Sequence, residues 1–334
     1  MDPSHSELRA AVDGRLSAAL EEAVGRLPDA APLIDELRRT IEAGGKRLRP
    51  AFCYWGYRAA GGEHGDDIVR ASAALELLHT FAIVHDDIMD GSDHRRGIPT
   101  VNAKHGTSVA LLAGDLALVL ADEELTSSGF DADALRRAFT AYSRMRQEVI
   151  AGQFLELRTM ERSEVTEAEA RRIAVLKSGR YSVQEPLLVG ALLAGGPPDV
   201  LDGLGRAGDL LGEAFQVADD LLGTFGDARA TGKPVDSDIR SGKRNVLYAK
   251  TLELLSGPER FLFASSWGGG DVLSPAEVDR LRGLVESSGA RAATEDALAR
   301  LARDARAVLE STNLDPGARA ALLDLAARAI DRES

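Results

Sequence analysis

Apolar residues recur along most of the chain at the three- and four-residue spacing of an amphipathic helix. Windows of roughly 12 to 30 residues with this spacing are separated by short stretches rich in Gly or Pro. One such window is "LDPGARAALLDLAARAID", in which Asp315 can cap a helix and Pro316 suits its first turn. The pattern predicts an all-α protein, built as one large helical bundle.

The segment from Ala71 to Val84 departs from the amphipathic pattern, because it is apolar or small on nearly every side. Glu76 and His79 are its main polar exceptions. A helix that is apolar all round lies in the centre of a bundle. The segment leads directly into "HDDIMD", so Asp86 and Asp90 are expected at the end of a buried helix.

Length and charge narrow the class of protein. With 334 residues, 44% of them hydrophobic, the chain can bury a large core. We predict a single domain over residues 1–334, with about the first five residues disordered. The net charge of −13 argues against a general nucleic-acid binder, which needs a basic face, and against attraction to an anionic membrane surface.

Cysteine usage and the absence of long apolar runs indicate a compartment. The one cysteine, Cys53, allows no internal disulfide, as is typical of cytoplasmic proteins. The start "MDPSHSELRA" lacks the basic-then-apolar pattern of a signal peptide. No uninterrupted apolar run reaches the roughly 18 residues of a membrane span. We therefore expect a cytoplasmic protein without a transmembrane segment.

Two pairs of acidic residues follow apolar helical windows. Asp86 and Asp90 are four residues apart, so on a helix they share one face and repel each other unless a cation bridges them. Oxygen-only ligands favour a hard ion, Mg²⁺ or Mn²⁺. A solvated acidic helix end is the alternative interpretation. A second pair, Asp219 and Asp220 in "EAFQVADDLLGTFGD", favours the metal interpretation, because bundles build metal sites from carboxylates on facing helices.

Lysine is rare in this chain and falls beside the acidic motifs. Only six of the 40 basic residues are lysines, and four of these lie in short motifs with Gly, Ser or Pro. Lysine is a compact charge that commonly binds phosphate. Carboxylates with metal on one side and cations on the other make a clamp for diphosphate, although each cation taken singly could be a salt-bridge partner. The basic residues concerned are Lys46, Arg47, Arg49, Arg95, Arg96, Lys177, Lys233 and Lys243.

Six motifs occur between Gly44 and Arg244, in the order "GGKRLRP", "HDDIMDGSDHRRGIPT", "GQFLEL", "LKSGRYSVQEPL", "AFQVADDLLGTFGD" and "TGKPVDSDIRSGKR". In sequence, order and spacing they resemble the motifs of the trans-isoprenyl diphosphate synthases, the polyprenyl synthetase family. Within that family the pattern is closest to the geranylgeranyl diphosphate synthases.

The resemblance implies a fold and a reaction. It implies the isoprenoid synthase fold, an all-α bundle around a central hydrophobic cavity, usually as a homodimer. It implies a prenyltransferase that condenses isopentenyl diphosphate with an allylic diphosphate by ionisation, condensation and elimination. In the family, three Mg²⁺ ions assist when substrate is bound, and Mn²⁺ is an alternative ion.

The resemblance also implies roles for individual residues. The metal ligands of the family match Asp86, Asp90 and Asp219. The catalytic residues that grip the allylic diphosphate match Arg95, Lys177 and Lys233, with Ser178, Gln216, Asp220 and Lys243 also in substrate binding. The isopentenyl diphosphate site matches Lys46, Arg49, His79 and Arg96. His85 is expected to be a structural neighbour of the first acidic motif and not a base.

Three positions depart from the family pattern. The second acidic motif usually ends in a third aspartate, where this chain has Gly223; Asp227 is a further acid but lies elsewhere. This departure weakens the expectation for the second metal shell. Asn102 stands where the family often has His, and Ser178 stands where Thr is usual.

Two residues before the first acidic motif bear on the product. Phe81 and Ala82 lie five and four residues before Asp86, about 6 to 7.5 Å deeper along a helix. Phe at the fifth position and a small residue at the fourth resemble the pattern of enzymes that make geranylgeranyl diphosphate, with farnesyl or geranylfarnesyl diphosphate as alternatives. In the family the product grows along this helix, so a bulky residue here is expected to stop the chain and a small one to let it pass. The alternative is that Phe81 is an ordinary core aromatic, and the deeper residues Ala74, Leu77 and Leu78 could set the length in its place.

Two other functions remain open. A class I terpene cyclase shares an aspartate-rich motif, a helical bundle and Mg²⁺. Its second metal motif has an Asn/Ser/Glu pattern, however, and it needs no isopentenyl diphosphate site such as "GGKRLRP". A non-catalytic subunit of a hetero-oligomeric prenyl synthase keeps the fold but loses acidic or basic residues, and here only Gly223 points to it.

Overall fold

Helices account for nearly all of the regular structure. The computed structural model describes residues 2–226 and 236–330, apart from the side chain of Asp271. Within these residues the only strands are two of two residues each, which pair with one another. The prediction of an all-α protein is therefore confirmed.

The elements follow one another with short connections. They are α1 (His5–Arg26), a 3₁₀ turn (Pro28–Ala30), α2 (Ala31–Glu42), α3 (Leu48–Ala59), α4 (Asp66–Met89), β1 (His94–Arg95), β2 (Ile98–Pro99), α5 (Val101–His105), α6 (Thr107–Thr126), α7 (Ala132–Met160), α8 (Glu167–Ala174), a π-helix (Val175–Gln184), α9 (Glu185–Leu193), α10 (Pro198–Phe225), α11 (Ser237–Ser241), α12 (Val246–Leu254), α13 (Gly257–Ser266), a second 3₁₀ turn (Gly270–Val272), α14 (Pro275–Ser287), α15 (Ala290–Ser311) and α16 (Pro316–Ile330).

The chain divides into two compact units, each built from three stretches of sequence. Unit 1 comprises Met1–Tyr142, Pro186–Asp202 and Asn313–Leu325, and unit 2 comprises Ser143–Glu185, Gly203–Thr312 and Ala326–Ser334. The first acidic motif lies in unit 1 and the second lies in unit 2. The single domain over residues 1–334 stays a prediction.

Side chains accept hydrogen bonds from backbone N–H groups at the start of the first helix and at the start of the last helix. The backbone N–H of Glu7 donates to Ser4 Oγ at 3.3 Å, and the Ser4 N–H donates to the Glu7 carboxylate at 2.7 Å. This reciprocal pair starts α1 within the stretch expected to be disordered. The N–H of Ala318 donates to Asp315 Oδ1 at 2.9 Å, so the cap predicted for the last helix is confirmed.

Helix α4 is the central helix of unit 1 and packs most extensively against α6. Every residue from Ala71 to Leu78 is buried, as the all-round apolar pattern predicts. The helix is long and apolar enough to cross a membrane, with a mean hydropathy of 1.3 over its most apolar window, but 72% of that window is buried within the protein. This burial is typical of a core helix.

A tight hairpin follows α4 in unit 1. His94 pairs with Pro99 and Arg95 pairs with Ile98 in an antiparallel ladder. The two residues between the strands, Arg96 and Gly97, have φ values of 52° and 78°. Positive φ at both central residues is what a type I′ turn requires, and this turn matches the twist of the two strands. The hairpin projects two arginines close behind the first acidic motif.

The core of unit 2 is aromatic. The rings of Tyr248 and Phe263 stack with centroids 5.3 Å apart, and Trp267 lies 5.0 Å from Phe263. Leucine and valine side chains from α12 and α14 surround them. Such pairs contribute more than their buried area alone, so this cluster anchors the C-terminal helices of the unit.

A π-helix interrupts the helical pattern of unit 2 at Val175–Gln184. Its Gly179 meets Gly212 of α10 so closely that a Cβ at position 212 would lie 2.6 Å from the Gly179 carbonyl carbon. Only glycine permits this backbone approach. Widened turns of this kind often occur at functional sites, and this one carries Lys177 and Ser178.

Candidate active site

One face of α4 becomes accessible where the helix approaches its end. His79, Ala82 and Asp86 are partly exposed and Asp90 is exposed, at spacings of three and four residues. Asp90 is the C-cap and keeps helical dihedral angles, φ −84° and ψ −9°, so it continues the row. The row places Ala82 one turn below Asp86, on the same face as both acids.

The middle acid of the first motif points elsewhere. Asp87 is buried and accepts hydrogen bonds from Arg95, at 2.8 Å from Nε and 2.7 Å from Nη2. Burial lowers the pKa of Arg95, but Asp87 and the nearby charges of Asp86 and Asp90 outweigh it and raise that pKa. Asp87 therefore holds Arg95 of the hairpin beside the acidic face of α4.

A buried arginine organises the "GGKRLRP" loop in unit 1. Arg47 is only 5% exposed and has a left-handed backbone with φ 51°. Its guanidinium donates to Asp13 Oδ1 at 2.7 Å, to Glu76 Oε1 at 2.8 Å and to the Ile41 carbonyl at 2.8 Å. A non-glycine residue adopts this backbone only where its surroundings hold it. The network fixes the loop that carries Lys46 and Arg49.

Gly45 lets two guanidinium groups approach this loop. A Cβ at position 45 would lie 3.0 Å from Arg47 Nη1 and 3.2 Å from Arg96 Nη2. Arg96 also donates to the Gly44 carbonyl oxygen. The φ of Gly45, 139°, is one that other residues rarely adopt. The glycines of the loop thus allow Arg96 of the hairpin to approach the "GGKRLRP" motif.

His79 lies among the arginines of unit 1. Burial lowers its pKa well below the usual value, and the charges of Arg49, Arg96, Arg95 and Arg47 lower it further. The imidazole is therefore neutral at neutral pH. Three of the four predicted isopentenyl diphosphate residues, Arg49, His79 and Arg96, are brought together. The fourth, Lys46, is exposed on the same loop.

The arginine cluster favours an anion. Burial lowers the pKa of Arg96. Glu76 raises this pKa and the charges of Arg47, Arg95 and Arg49 lower it, and the net shift is downward. Positive charges held this close repel one another, and a bound anion would relieve that repulsion. A diphosphate would supply that charge and form bidentate hydrogen bonds with guanidinium groups.

The second acidic motif lies near the end of α10 in unit 2. Asp220 is buried and accepts hydrogen bonds from the Val246 N–H at 3.1 Å and from Gln216 Nε2 at 2.8 Å. Burial and the nearby Asp238 carboxylate raise the pKa of Asp220 well above its usual value. Asp219, by contrast, is only partly buried. Of the two acids, Asp219 is the more accessible to a ligand.

The predicted lysines of unit 2 have acidic partners. Lys177 Nζ forms an ion pair with Glu156, which belongs to the "GQFLEL" motif. Lys243 Nζ lies 3.9 Å from Asp238 Oδ1. Ser178, beside Lys177, is partly buried in the π-helix. Lys233 lies outside the described residues.

His85 is a packing residue between two helices of unit 1. Its Nε2 lies 3.1 Å from the Leu111 carbonyl oxygen of α6 and 3.8 Å from Asp115 Oδ1. Its ring also meets the ring of Phe81, with centroids 4.8 Å apart. A Cβ at Gly114 would collide with the imidazole. These contacts agree with the structural role expected for His85.

Three residues shape the site in ways that the sequence does not predict. Arg47 is predicted only as one of the cations of a diphosphate clamp, and Asp87 and Asp238 have no predicted role. A charged Glu76 inside an otherwise apolar helix was the available signal for Arg47, because a buried carboxylate needs a cation. Nothing in the spacing indicates that Asp238 would approach α10.

The donor set fits Mg²⁺ delivered with phosphate. In residues 2–226 and 236–330, no three His, Cys, Asp or Glu side chains are grouped so that they could hold a metal ion unaided. Mg²⁺ is usually held by one or two carboxylates, with water and substrate phosphates completing its shell. Asp86 and Asp90 offer such carboxylates on an accessible face of unit 1, and Asp219 offers one in unit 2.

Comparison with known proteins identifies the family. The family model described as polyprenyl synthetase matches residues 31–267. The short chain isoprenyl diphosphate synthase of Methanothermobacter thermautotrophicus is 34% identical over 296 residues, 88% of each chain. The geranylgeranyl diphosphate synthase of Sulfolobus acidocaldarius is 37% identical over 247 residues, 72% of this chain and 73% of its own.

Other relatives differ in product. The (2E,6E)-farnesyl diphosphate synthase of Mycobacterium bovis is 37% identical over 269 residues, 80% of this chain and 69% of its own. Among solved structures, the geranylgeranyl pyrophosphate synthase of Corynebacterium glutamicum complexed with isoprenyl diphosphate and magnesium has a TM-score of 0.94. It is 34% identical, and the match covers 99% of this chain and all of that one. The chain therefore belongs to the polyprenyl synthetase family and is a short-chain trans-prenyl diphosphate synthase.

Proposed function

We propose that the protein condenses isopentenyl diphosphate with allylic diphosphates and that its main product is geranylgeranyl diphosphate. The observation that carries this product length is the position of Ala82, a small residue one turn below Asp86 on the same accessible face of α4. A small side chain there leaves room for a growing chain, and the larger Phe81 lies beside it. The likeness to geranylgeranyl diphosphate synthases supports the same product.

The allylic diphosphate is assigned to the acidic motifs. Asp86, Asp90 and Asp219 would hold Mg²⁺, three ions with substrate bound and Mn²⁺ as an alternative. Mg²⁺ supplies positive charge that stabilises the departing diphosphate as its carbon–oxygen bond breaks. Arg95, Lys177 and Lys233 bind the same group, and Ser178, Gln216, Asp220 and Lys243 lie in the same motifs. Fixed cations that bind the leaving group more tightly as its charge grows accelerate this step.

Isopentenyl diphosphate is assigned to Lys46, Arg49, His79 and Arg96. The crowding of guanidinium groups around a neutral His79 supports an anionic ligand at this cluster. The arginines would bind phosphate oxygens, while the neutral imidazole can donate a hydrogen bond without adding charge. Arg47 holds the loop in place through hydrogen bonds from its guanidinium to the carboxylates of Asp13 and Glu76.

The remaining steps need water to be excluded. Ionisation of the allylic substrate leaves a carbocation, the double bond of isopentenyl diphosphate attacks it, and loss of a proton forms the new double bond. Water would quench the cation, so the reacting carbons need a dry environment. The buried apolar stretch of α4 from Ala71 to Leu78 supports this requirement, because it carries few groups that could hold water.

We also propose that the protein is a homodimer. Helix α6 exposes large apolar side chains on one face: Leu112 is 59% exposed and Val119, two turns later, is 61% exposed. A second copy of this chain would remove that surface from water. Light scattering should give a dimer mass for the native protein and a monomer mass for Leu112→Glu, while Leu254→Glu in unit 2 should stay dimeric. A monomeric native protein would contradict the proposal.

The cytoplasm is the proposed location. The one cysteine, Cys53, is buried as a free thiol, which suits a reducing compartment. Fractionation of the native host should recover the activity with the soluble fraction. Recovery with washed membranes would argue against this location.

A product assay tests the proposed function. The purified protein is incubated with Mg²⁺, labelled isopentenyl diphosphate and, separately, dimethylallyl, geranyl or farnesyl diphosphate, and the dephosphorylated alcohols are sized by chromatography. A twenty-carbon alcohol is expected. A fifteen- or twenty-five-carbon alcohol would keep the reaction and reject the product length. Failure to incorporate label would favour a non-catalytic subunit, and a cyclic hydrocarbon made without isopentenyl diphosphate would favour a terpene cyclase.

A further inference from the structure

Two basic motifs of unit 1 are attached to one helix, α2. The "GGKRLRP" loop begins at Gly44, just after α2 ends at Glu42. The hairpin reaches the same helix through a side chain, because Arg39 Nη1 donates a hydrogen bond to the Pro99 carbonyl oxygen at 2.8 Å. Pro99 ends β2, three residues after Arg96. The loop and the hairpin therefore share one support, and the Arg39 contact helps to set the spacing of their basic residues.

A buried carboxylate holds the Arg39 guanidinium in this orientation. Glu36, one turn earlier on α2, is 6% exposed, and its Oε2 accepts a hydrogen bond from Arg39 Nε at 2.8 Å. Its Oε1 lies 3.0 Å from His105 Nε2 and also accepts a hydrogen bond from Lys104. Burial raises the pKa of Glu36, but hydrogen bonds from Lys104, His105 and Arg39 lower it to about 2. The carboxylate is thus charged at neutral pH and links α2 to α5.

The base of the hairpin is closed by Thr100, the residue after Pro99. Thr100 is 4% exposed, and its N–H donates to the Asp93 carbonyl oxygen at 2.9 Å. Its Oγ1 donates to the Ser92 carbonyl oxygen at 2.8 Å and also caps α5. These bonds join the two ends of the hairpin, so a displacement of Pro99 would move the whole hairpin and Arg96 with it.

The two arginines of the hairpin are held in different ways. Arg95 donates to the carboxylate of Asp87, 2.8 Å from its Nε, so it is fixed by α4. Arg96 lies at the turn and donates to the Gly44 carbonyl oxygen of the "GGKRLRP" loop. The place of Arg96 thus depends on the spacing between loop and hairpin. The Arg39 contact therefore bears on the residue assigned to isopentenyl diphosphate more than on the residue assigned to the allylic diphosphate.

We propose that Arg39 and Glu36 are positioning residues for isopentenyl diphosphate. Arg39 joins the hairpin to α2 at the spacing that lets Arg96 and the "GGKRLRP" loop bind one diphosphate, and Glu36 orients Arg39. The inference rests on the proposed binding of isopentenyl diphosphate by the arginine cluster. It explains why α2 carries a charged side chain on its buried face, where a carboxylate is costly unless cations surround it.

Three variants of α2 separate this contact from its surroundings. Arg39→Ala removes the donor to Pro99. Glu36→Gln keeps the size of the side chain and removes the charge that orients Arg39. Arg38→Ala is the matched control, because Arg38 is the preceding residue of the same helix and its side chain is 25% exposed, against 26% for Arg39. Arg38 donates to Ser17 of α1, so its loss changes the net charge equally and leaves the hairpin attached to α2.

Calorimetry with isopentenyl diphosphate as the probe measures binding without turnover, since no allylic substrate is present. Arg39→Ala should bind the probe about tenfold more weakly than the native protein, as expected for the loss of one hydrogen bond from a charged group. Glu36→Gln should also bind it more weakly. The double variant should bind it as Arg39→Ala does, because Glu36 acts through Arg39 and the two losses should not add. Arg38→Ala should bind like the native protein.

Steady-state kinetics tests whether the effect is confined to one substrate. In Arg39→Ala the KM for isopentenyl diphosphate should rise about tenfold. The KM for farnesyl diphosphate and kcat should stay close to their native values, because Asp87 holds Arg95 independently. A general loss of structure would change all three quantities together. The midpoint of thermal unfolding of Arg39→Ala should match that of Arg38→Ala.

Four results would overturn the inference. They are native affinity in Arg39→Ala or in Glu36→Gln, an equal loss in Arg38→Ala, a double variant clearly weaker than Arg39→Ala, and equal rises in the two KM values. Glu36→Gln tests the same contact if Arg39→Ala does not fold.

Arg96→Ala separates this failure from failure of the proposed function. If Arg96→Ala also bound isopentenyl diphosphate with native affinity, the assignment of this substrate to the arginine cluster would itself be wrong. If only Arg96→Ala lost affinity, the cluster would stand and the role of Arg39 and Glu36 would fall.

Discussion

The ring of Phe81 packs against the imidazole of His85 one turn later on α4, with centroids 4.8 Å apart and planes inclined at 65°. Edge-on aromatic pairs of this kind are attractive beyond their buried area. The imidazole is held in turn by the Leu111 carbonyl of α6, and it fits because Gly114 lacks a side chain. The aromatic ring that we propose as the limit on product length is thus held by His85, which is itself held by α6.

Removal of this ring should lengthen the product. Phe81→Ala takes away the bulk beside Ala82, so chains longer than twenty carbons should appear when farnesyl diphosphate is the starter. Chromatography of the dephosphorylated products measures the change. Phe261→Ala, which truncates a ring that is 75% exposed on α13, should leave the product unchanged. An unaltered product in Phe81→Ala would make Phe81 an ordinary core aromatic.

Added bulk at the neighbouring position should have the opposite effect. Ala82→Phe places a ring directly below Asp86 on the accessible face of α4, so the growing chain should stop at ten or fifteen carbons. The same chromatographic assay detects it, and Ala299→Phe on an exposed position of α15 serves as the control. If Ala82→Phe still made the native product, the face that carries the two acids would not be the face along which the chain grows.

The core of the fold and part of the site could be predicted from the sequence. An apolar segment as long as Ala71 to Val84 favours a buried helix over a strand, so α4 and the placing of Asp86 and Asp90 at its end followed from the pattern. The π-helix could not be predicted, because it depends on the close approach of Gly179 to Gly212, two residues far apart in sequence. The roles of Arg47 and Asp238 were likewise hidden, since each depends on contacts made by residues distant along the chain.

Loss of an acid from either motif should abolish most of the turnover. Asp86→Ala removes an oxygen donor in unit 1 and Asp219→Ala removes one in unit 2, and each should reduce kcat by several orders of magnitude, because the departing diphosphate would lose its stabilising charge. Steady-state kinetics at saturating Mg²⁺ measures the loss. Asp133→Ala, on the exposed first turn of α7, should behave like the native enzyme. Turnover near the native value in either motif variant would contradict the metal clamp.

The buried ion pair between Arg47 and Glu76 should be costly to break. Arg47→Ala leaves the Glu76 carboxylate, itself only 3% exposed, without the guanidinium 2.8 Å away. Loss of one partner of such a pair costs about 3 to 5 kcal/mol in the free energy of unfolding. Denaturation by urea measures this, with Arg306→Ala, which breaks an exposed pair with Glu310, expected to cost less than about 1 kcal/mol. Equal costs in the two variants would show that the network does not stabilise the loop.

A buried carboxylate in unit 2 should make stability depend on pH. Glu185 is 3% exposed, and burial raises its pKa to about 7. Its Oε1 lies 3.9 Å from Arg144 Nη2, and its Oε2 accepts no hydrogen bond from the described residues. The charged form is therefore poorly satisfied, and the folded protein holds a proton that the unfolded chain releases at lower pH.

The sign of the effect follows from the raised pKa. Below about pH 4.5 the carboxyl is protonated in both states and Glu185 carries no penalty. As the pH rises from there to about 7, the unfolded chain ionises first, so the free energy of unfolding falls, by up to about 3 kcal/mol. Glu185→Gln cannot ionise and should escape this loss. Urea denaturation should therefore give equal stabilities at pH 4.5 and a more stable variant at pH 8, whereas Glu259→Gln on the exposed start of α13 should track the native protein. A Glu185→Gln variant no more stable than native at pH 8 would mean that the protein solvates or pairs the carboxylate of Glu185.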